Sequence, residues 1–356
     1  RIPFPHRHHR SMRAAVSRLR NRGWWPARFR RSVSSSGMGR YRLAMVQTVA
    51  TAMRMSMAVT VGVAQEKIAD RLNTPAALEN MKMRGLWSQS KNAAGALLDY
   101  SFRYASADLE YRFYDGNCRP QQGESGNNVV FDTEGGGKVK DFFAWGSFNY
   151  SRDKVKEANF NSSIIDPYRG MPYYTADTNV SNWNNQHYRL KMRVATPQFW
   201  NFLSFGLDGY YQNSVGAKQR DMRTKSVFYT IIVRPGVVLS AGKNHRFGLD
   251  FEYASVREDL EMKAVNSYVE QTYYLLSGLG MATETSGIQR FLTYNGNQVG
   301  GGLQYNYAGR MNILLDLGYS KKVEDAITTP TSPRYLGTTK DGLWSGKLMA
   351  YIPDAK

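Results

Sequence analysis

The sequence predicts an all-β chain: an antiparallel transmembrane β-barrel of about eleven strands preceded by a short helical segment. Three observations carry that prediction. From His187 to Val194 the chain alternates without exception, with Tyr188, Leu190, Met192 and Val194 apolar and His187, Arg189, Lys191 and Arg193 basic. A period of two places these sets on opposite faces of a strand. The pattern recurs where Leu203, Phe205 and Leu207 alternate with Ser204, Gly206 and Asp208, with Gln212 further along, and where Phe247, Leu249, Phe251 and Tyr253 alternate with Arg246, Gly248, Asp250 and Glu252. Third, the connections between such segments alternate between short and long, as the turns and outer loops of outer-membrane barrels do. Charges this regular on one face need water, and the opposite face needs oil.

His187, Arg189, Lys191, Arg193, Asp208, Gln212, Arg246, Asp250 and Glu252 are therefore expected to face a lumen. Tyr188, Leu190, Met192, Val194, Leu203, Phe205, Leu207, Phe247, Leu249 and Phe251 are expected to face lipid. Placing the cations on the lipid side would cost about 2–4 kcal/mol for each one near the bilayer midplane.

The chain of 356 residues carries a formal charge of +18. Thirteen of its 47 basic residues lie in 1–64, which contain no acid, so the remainder has 34 bases against 29 acids. The basic excess belongs to the leader, and no nucleic-acid partner is expected for the body. A mean hydropathy of −0.51 excludes a bundle of long apolar helices, whereas a barrel hides from that test because half of each strand is polar. The 23 Tyr and 7 Trp suit membrane interfaces. The single Cys118 excludes an internal disulfide and a Cys cluster for zinc.

Residues 1–37 are Arg-rich and aperiodic and read as spurious upstream or disordered sequence; an RNA-binding arm or an organellar transit peptide is the other reading. Residues 38–64 read as an export signal, with Arg40 and Arg42 ahead of a mainly apolar run broken by Arg54. Gly62 and Ala64 are the small residues that place cleavage between Ala64 and Gln65. Residues 65–94 form an N-terminal helical or plug segment: Asn73 or Thr74 caps a helix with Pro75 at its first position, and Leu86-Trp87 tuck into the barrel mouth.

Residues 95–356 supply the barrel. Strands are expected at 98–104, 109–114, 129–133, 142–150, the His187 and Leu203 segments, 227–233, the Phe247 segment, 301–307, 311–319 and 344–351. Pro235 implies a bulge or strand end. Short turns are expected at Ala105-Ser106, Gly135 to Gly137, Thr196-Pro197, Ala241 to Asn244 and Ala308 to Arg310. Long loops are expected at 116–126, 152–184, 213–225, 257–296 and 322–340, the fourth containing Val269 to Leu276 as a short helix or apolar tip.

The run Gln89-Ser90-Lys91-Asn92-Ala93-Ala94-Gly95, followed by Tyr104 to Gly116 (YASADLEYRFYDG), resembles an outer-membrane β-barrel family of unknown function from Bacteroides-like Gram-negative bacteria. The resemblance spans roughly 85–356 and brings no catalytic residues. The Arg-rich leader departs from it. So does the ending at Ile352 to Lys356, which lacks the aromatic-terminated closing strand and leaves an odd strand number, so that further strands are expected after Lys356.

Catalysis is not expected. Of the histidines only His187 and His245 lie beyond the signal, neither in a nucleophile–base arrangement, and a metal site would want more ligands. Gly135 to Gly137 lacks the Lys-Ser/Thr pair of a phosphate loop. No cofactor and no metal are expected. The expected setting is the bacterial outer membrane, with membrane lipid as partner and a small solute or a surface lipoprotein as a further one. The expected function is porin-like or partner-assisted solute passage. The competing readings are a non-transporting barrel whose long loops bind a ligand or partner, and a soluble secreted β-sheet protein.

Overall fold

The structure, a computed structural model, describes residues 53–57, 75–99, 103–116, 119–166, 168–266, 268, 271–287, 289–328 and 332–352. The Arg-rich leader at 1–37, the export signal apart from 53–57, the cleavage site at Ala64 and Gln65, the expected caps Asn73 and Thr74, and Cys118 lie outside these residues. All the strands belong to one compact unit, Gln47–Lys356.

Antiparallel strands dominate. In chain order they are β1 (Met53–Met57), β2 (Tyr104–Asp115), β3 (Ser125–Val139), β4 (Phe142–Ala158), β5 (Tyr173–Asp177), β6 (Ser181–Ala195) and β7 (Leu203–Lys218). They continue with β8 (Arg223–Ala241), β9 (His245–Lys263), β10 (Thr272–Ser277), β11 (Ala282–Ser286), β12 (Gln289–Ala308), β13 (Asn312–Thr328) and β14 (Arg334–Tyr351). Eleven of them form one sheet in the order β1-β2-β3-β4-β6-β7-β8-β9-β12-β13-β14, and β11-β10-β5 form a second. Among the described residues β1 and β14 are edges, so the sheet is not closed on itself.

Among the described residues the main sheet has the expected eleven strands, but one member differs. The expected strand 98–104 begins in a helix: residues 93–99 are helical, a short 3-10 turn leading into Ala96–Asp99, residues 100–102 lie outside the described ones, and Tyr104 opens β2. The alternation there is too short to outweigh three helix-favouring alanines and the Asn92 carboxamide, which accepts the Ala94 N–H and caps the turn. The eleventh strand is instead β1, which lies antiparallel to β2 within the stretch that reads as an export signal.

Two expected turns are absent. Ala105 and Ser106 pair with Gly135 and Glu134 inside the β2–β3 ladder, and Gly135 to Gly137 pair with β4. Gly136 is there for close approach: a Cβ would meet that of Trp145 at 2.7 Å. The chain reverses later, at Lys140-Asp141, where Lys140 adopts a φ of 54°. Pro235 neither ends nor bulges its strand. The register runs unshifted from Val233↔Tyr253 to Gly236↔Asp250, and Pro235 faces outward and is exposed.

Four of the long connections are shorter than expected, because the ladders continue past the apolar residues as polar hairpins. The expected loop at 213–225 shrinks to 219–222, and those at 257–296 and 152–184 hold β10, β11 and β5. In place of a helix or tip, Thr272 to Leu276 form part of β10. The final strand starts at Arg334 rather than near Trp344.

A helix, α1 (Pro75–Arg84), lies between β1 and β2 in the chain. From α1 to Asp99 the chain crosses one face of the sheet. Leu78 and Ala96 pack with Phe143 and Ala195, and Leu86, Trp87 and Ala94 with Val238 and Leu314, Met349 and Tyr351 flanking them. Strands in a sheet lie about 4.8 Å apart. The adjacent residues Ser88 and Gln89 bond Arg193 of β6 and Lys347 of β14, which lie at opposite ends of a run of seven strands, so the sheet curls around them.

Candidate functional site

The face that receives this segment is polar, and the opposite face is apolar. On β6, Leu190 and Met192 are 47% and 48% exposed, and on β9 Phe247, Leu249 and Phe251 are 49%, 54% and 49% exposed. Tyr188, Val194, Phe205 and Leu207 are likewise exposed, and Leu203 is half-buried. The registers line these residues up: Val194 pairs with Leu207, Phe247 with Leu239 and Tyr305, and Leu249 with Val237 and Leu303. Meanwhile Asp208, Asp250 and Glu252 are 8%, 4% and 3% exposed.

Of these three carboxylates, Asp208 and Glu252 are ion-paired. Arg193, Asp208 and Arg234 occupy one row across β6, β7 and β8. Arg193 Nε donates to Asp208 Oδ2 at 2.6 Å, Arg234 Nη1 to Asp208 Oδ1 at 2.8 Å, and Arg234 Nε to Glu252 Oε2 at 2.6 Å. Alternating signs across neighbouring strands compensate the desolvation of each ion. His187 sits between Ser214 Oγ (2.8 Å) and Asp153 Oδ2 (3.0 Å). Arg189 takes neutral partners, Asn149 Oδ1 and Ser151 Oγ. Gln212 accepts from Tyr210 Oη and donates to Ser214. Arg246 reaches Asn306, and Asp250 accepts from Gln304. Lys191 has no carboxylate within ion-pair distance among the described residues and lies 6.0 Å from the centre of the Tyr210 ring.

The segment 85–99 is fastened into this polar face. Arg193 donates to the carbonyl oxygens of Ser88 (2.5 Å) and Ser90 (2.6 Å), and Lys347 to that of Gln89. Trp87 is fully buried and donates to Asn306 Oδ1 at 3.2 Å. Asn92 is also fully buried, and its Nδ2 donates to the carbonyl oxygens of Val237 (3.0 Å) and Leu249 (3.2 Å) and to Gln304 Oε1 (3.0 Å). Gly206 and Gly236 face each other across β7–β8, where any Cβ would overlap the Ala94 backbone or the Asn92 carboxamide. Two glycines in register thus clear the seat for Asn92 and Ala94. Asp99 accepts the Ser88 N–H at 2.7 Å, and burial raises its carboxyl to a pKa of about 7 against the backbone donors and the nearby Arg246. Arg234, Gln304 and Gly236 were not singled out in the sequence. Only their place in the polar phase of β8 and β12 could have flagged them.

Beneath α1, between this segment and the wall, lies a cavity of about 500 Å³. Lys82, Glu134, Trp145, Lys191, Arg193 and Tyr210 are among its lining residues.

At the long-loop end, β5, β10 and β11 cover the sheet. Tyr294 Oη donates to the Tyr173 carbonyl oxygen at 2.7 Å, and Arg169 bonds Glu324 at 3.0 Å while lying over the Tyr294 ring. Glu258, fully buried, accepts from Ser163 Oγ and Ser226 Oγ. Asp177 on β5 contacts Lys218, both fully buried, and burial raises the Asp177 carboxyl. At the short-turn end Phe199, Trp200, Phe202 and Phe205 form an exposed aromatic group, Trp200 stacked on Phe202 at 6.0 Å. Among the described residues no His/Cys/Asp/Glu group could hold a metal ion, and no helix is long and apolar enough to cross a membrane.

Residues 93–355 match the model of a family described as a family of unknown function (DUF6850). No curated protein matches the chain. Among solved structures, the ferric yersiniabactin uptake receptor of Yersinia pestis aligns with a TM-score of 0.41 and 9% identity, covering 70% of this chain and 40% of that one. The ferric preacinetobactin receptor of Acinetobacter baumannii aligns with a TM-score of 0.38 and 11% identity, covering 71% of this chain and 41% of that one. The chain thus spans about two fifths of the length of these receptors.

Proposed function

The chain belongs to the family of unknown function DUF6850, and we propose that it works as an outer-membrane β-barrel protein for passage of solutes, its lumen obstructed by the segment 85–99. The observation that carries this reading is the inverted polarity of the sheet. Phe247, Leu249 and Phe251 stand exposed while Asp208, Asp250 and Glu252 on the other face are buried, Asp208 and Glu252 in ion pairs and Asp250 hydrogen-bonded by Gln304. In water an apolar face spanning several strands is a liability; in a bilayer it is the face that lipid solvates. On β9 the apolar residues give way beyond Tyr253 to outward Arg257, Asp259, Glu261 and Lys263, as expected where a strand leaves the hydrocarbon. The aromatic group around Trp200 suits the interface at the other end.

Outer-membrane fractionation with heat-modifiable gel migration tests the membrane reading, and recovery in the soluble fraction without detergent would sink it. Planar-bilayer conductance tests passage: the intact chain should conduct poorly, and releasing 85–99 should raise conductance. A second reading has its own observation. Tyr268, Leu279 and Met281 are 97%, 106% and 69% exposed at the loop end, and a non-transporting barrel could use such tips to bind a surface partner. Conductance that stays closed after release of the segment would favour that reading.

A further inference from the structure

We propose that the cavity between α1, the segment 85–99 and the β4–β6–β7 wall is a binding site for a small organic anion with an aromatic or otherwise apolar body, received by Lys191. The inference deepens the passage reading by naming a class of solute that would dwell in the lumen, and it rests on that reading only for the route by which the ligand arrives. At about 500 Å³ the cavity falls within the range that encloses small-molecule ligands.

Its walls differ chemically. Phe143 and Trp145 of β4 present an aromatic surface, and the polar edge of Trp145 is already satisfied, its Nε1 donating to Tyr104 Oη at 2.8 Å. The opposite wall carries Lys191, Arg193 and Arg234 with Tyr210 among them. Two of those cations are committed: Arg193 to Asp208 and the carbonyl oxygens of Ser88 and Ser90, Arg234 to Asp208 and Glu252. Lys191 is not. Its ammonium has no carboxylate partner among the described residues, its side chain is exposed to the cavity, and its contact is with the face of Tyr210. An ammonium with open donor positions, set beside aromatic rings and flanked by fixed guanidinium groups, complements a carboxylate or phosphate joined to an apolar body. A neutral sugar would leave the ammonium unanswered, and a cation would meet Lys191 as a like charge while the lining carboxylates Glu134 and Asp208 are already paired with Lys82 and with Arg193 and Arg234.

The test uses the full chain folded in nonionic detergent, its fold checked by heat-modifiable migration, with 4-fluorophenylacetate as probe followed by fluorine NMR against protein-free micelles. Saturable binding is expected, weakened about ten-fold in Lys191→Gln, the size of one charge-assisted hydrogen bond, restored in Lys191→Arg, and unchanged in the outward-facing variant Tyr211→Phe. Absence of saturable binding to the folded chain overturns the site, as does equal affinity in Lys191→Gln. Equal affinity for 4-fluorobenzyl alcohol overturns the role of charge, and displacement by equimolar inorganic phosphate overturns the apolar half. Binding with this variant pattern in a chain that shows no heat-modifiable migration supports the site while removing the membrane reading.

Discussion

The carboxamide nitrogen of Asn92 lies 3.0 Å from the carbonyl oxygen of Val237, a contact between residues 145 positions apart. Two further acceptors, Leu249 O and Gln304 Oε1, converge on the same nitrogen, and Asn92 Oδ1 caps the turn at Ala94. Replacing this fully buried group leaves acceptors on two strands and on Gln304 without their donor. Asn92→Ala should therefore destabilise docking of 85–99 by roughly 1–3 kcal/mol. Limited trypsin digestion should then cut at Lys91 in the folded barrel, whereas heat-modifiable migration should be retained.

The seat for Asn92 offers a sharper perturbation. Gly206 and Gly236 are paired across β7–β8, and a side chain at Gly206 would overlap the Ala94 backbone. Gly206→Val should expel the segment without disturbing the ladder, since valine suits a strand. In planar bilayers it should raise conductance above that of the parent. Gly146→Ala is the control: at that position a Cβ meets nothing nearer than the Lys191 carbonyl oxygen at 3.8 Å, and conductance should not change.

These positions show how far the sequence could be read. Alternation along β6, β7 and β9 is a local property, so the two faces were legible residue by residue from His187 to Val194 and from Phe247 to Tyr253. What the polar face holds was not. Gly206 and Gly236 look like neutral members of a polar phase until Asn92 and Ala94 are set against them, and nothing local to 92–94 names β7 or β8 as the receiver. Glycine runs misled in the opposite direction: Gly135 to Gly137 read as a turn, yet Gly136 is small because Trp145 lies against it. Arg234 was missed because Pro235 beside it suggested the end of β8, although the strand passes through.

Docking of the segment should depend on pH. In the docked state burial holds the Asp99 carboxyl at a pKa of about 7, against an ordinary value of 3.8. Between those values the released segment gives up its proton before the docked one does, so docking is strongest in acid and weakens as pH rises, levelling off above about pH 7. Hydrogen exchange of residues 85–99, corrected for intrinsic rates, should accelerate from pH 4 to pH 7 in the parent. Asp99→Asn, which keeps an acceptor for the Ser88 N–H, should flatten that dependence; a slope that survives the substitution assigns the effect to another group.

The loop layer should be locked to the barrel by Asp177 and Lys218. Both side chains are fully buried, and they join β5 to β7. Removing one partner strands an ion away from water, so Lys218→Met alone should cost about 3–5 kcal/mol of stability in that layer. The double variant Asp177→Leu with Lys218→Met replaces two ions by apolar groups and should recover most of the loss. Exchange protection of β5 and β10 during urea titration measures both variants; equal losses in the single and double variants would show that packing, not the ion pair, holds the layer.

The outer face yields the test that bears most directly on the membrane reading. Leu249 is 54% exposed between Phe247 and Phe251, and its cross-strand neighbours Val237 and Leu303 are apolar too. If lipid solvates this patch, Leu249→Arg should cost about 2–4 kcal/mol of folding free energy in vesicles. Arg257→Leu, eight positions after Leu249 on the same face and beyond the apolar run, should be nearly neutral. If water solvates the face, the order reverses: arginine at 249 would be harmless or would improve solubility, because an exposed apolar patch would have been broken. Urea titration of both variants in vesicles and in water decides between these signs.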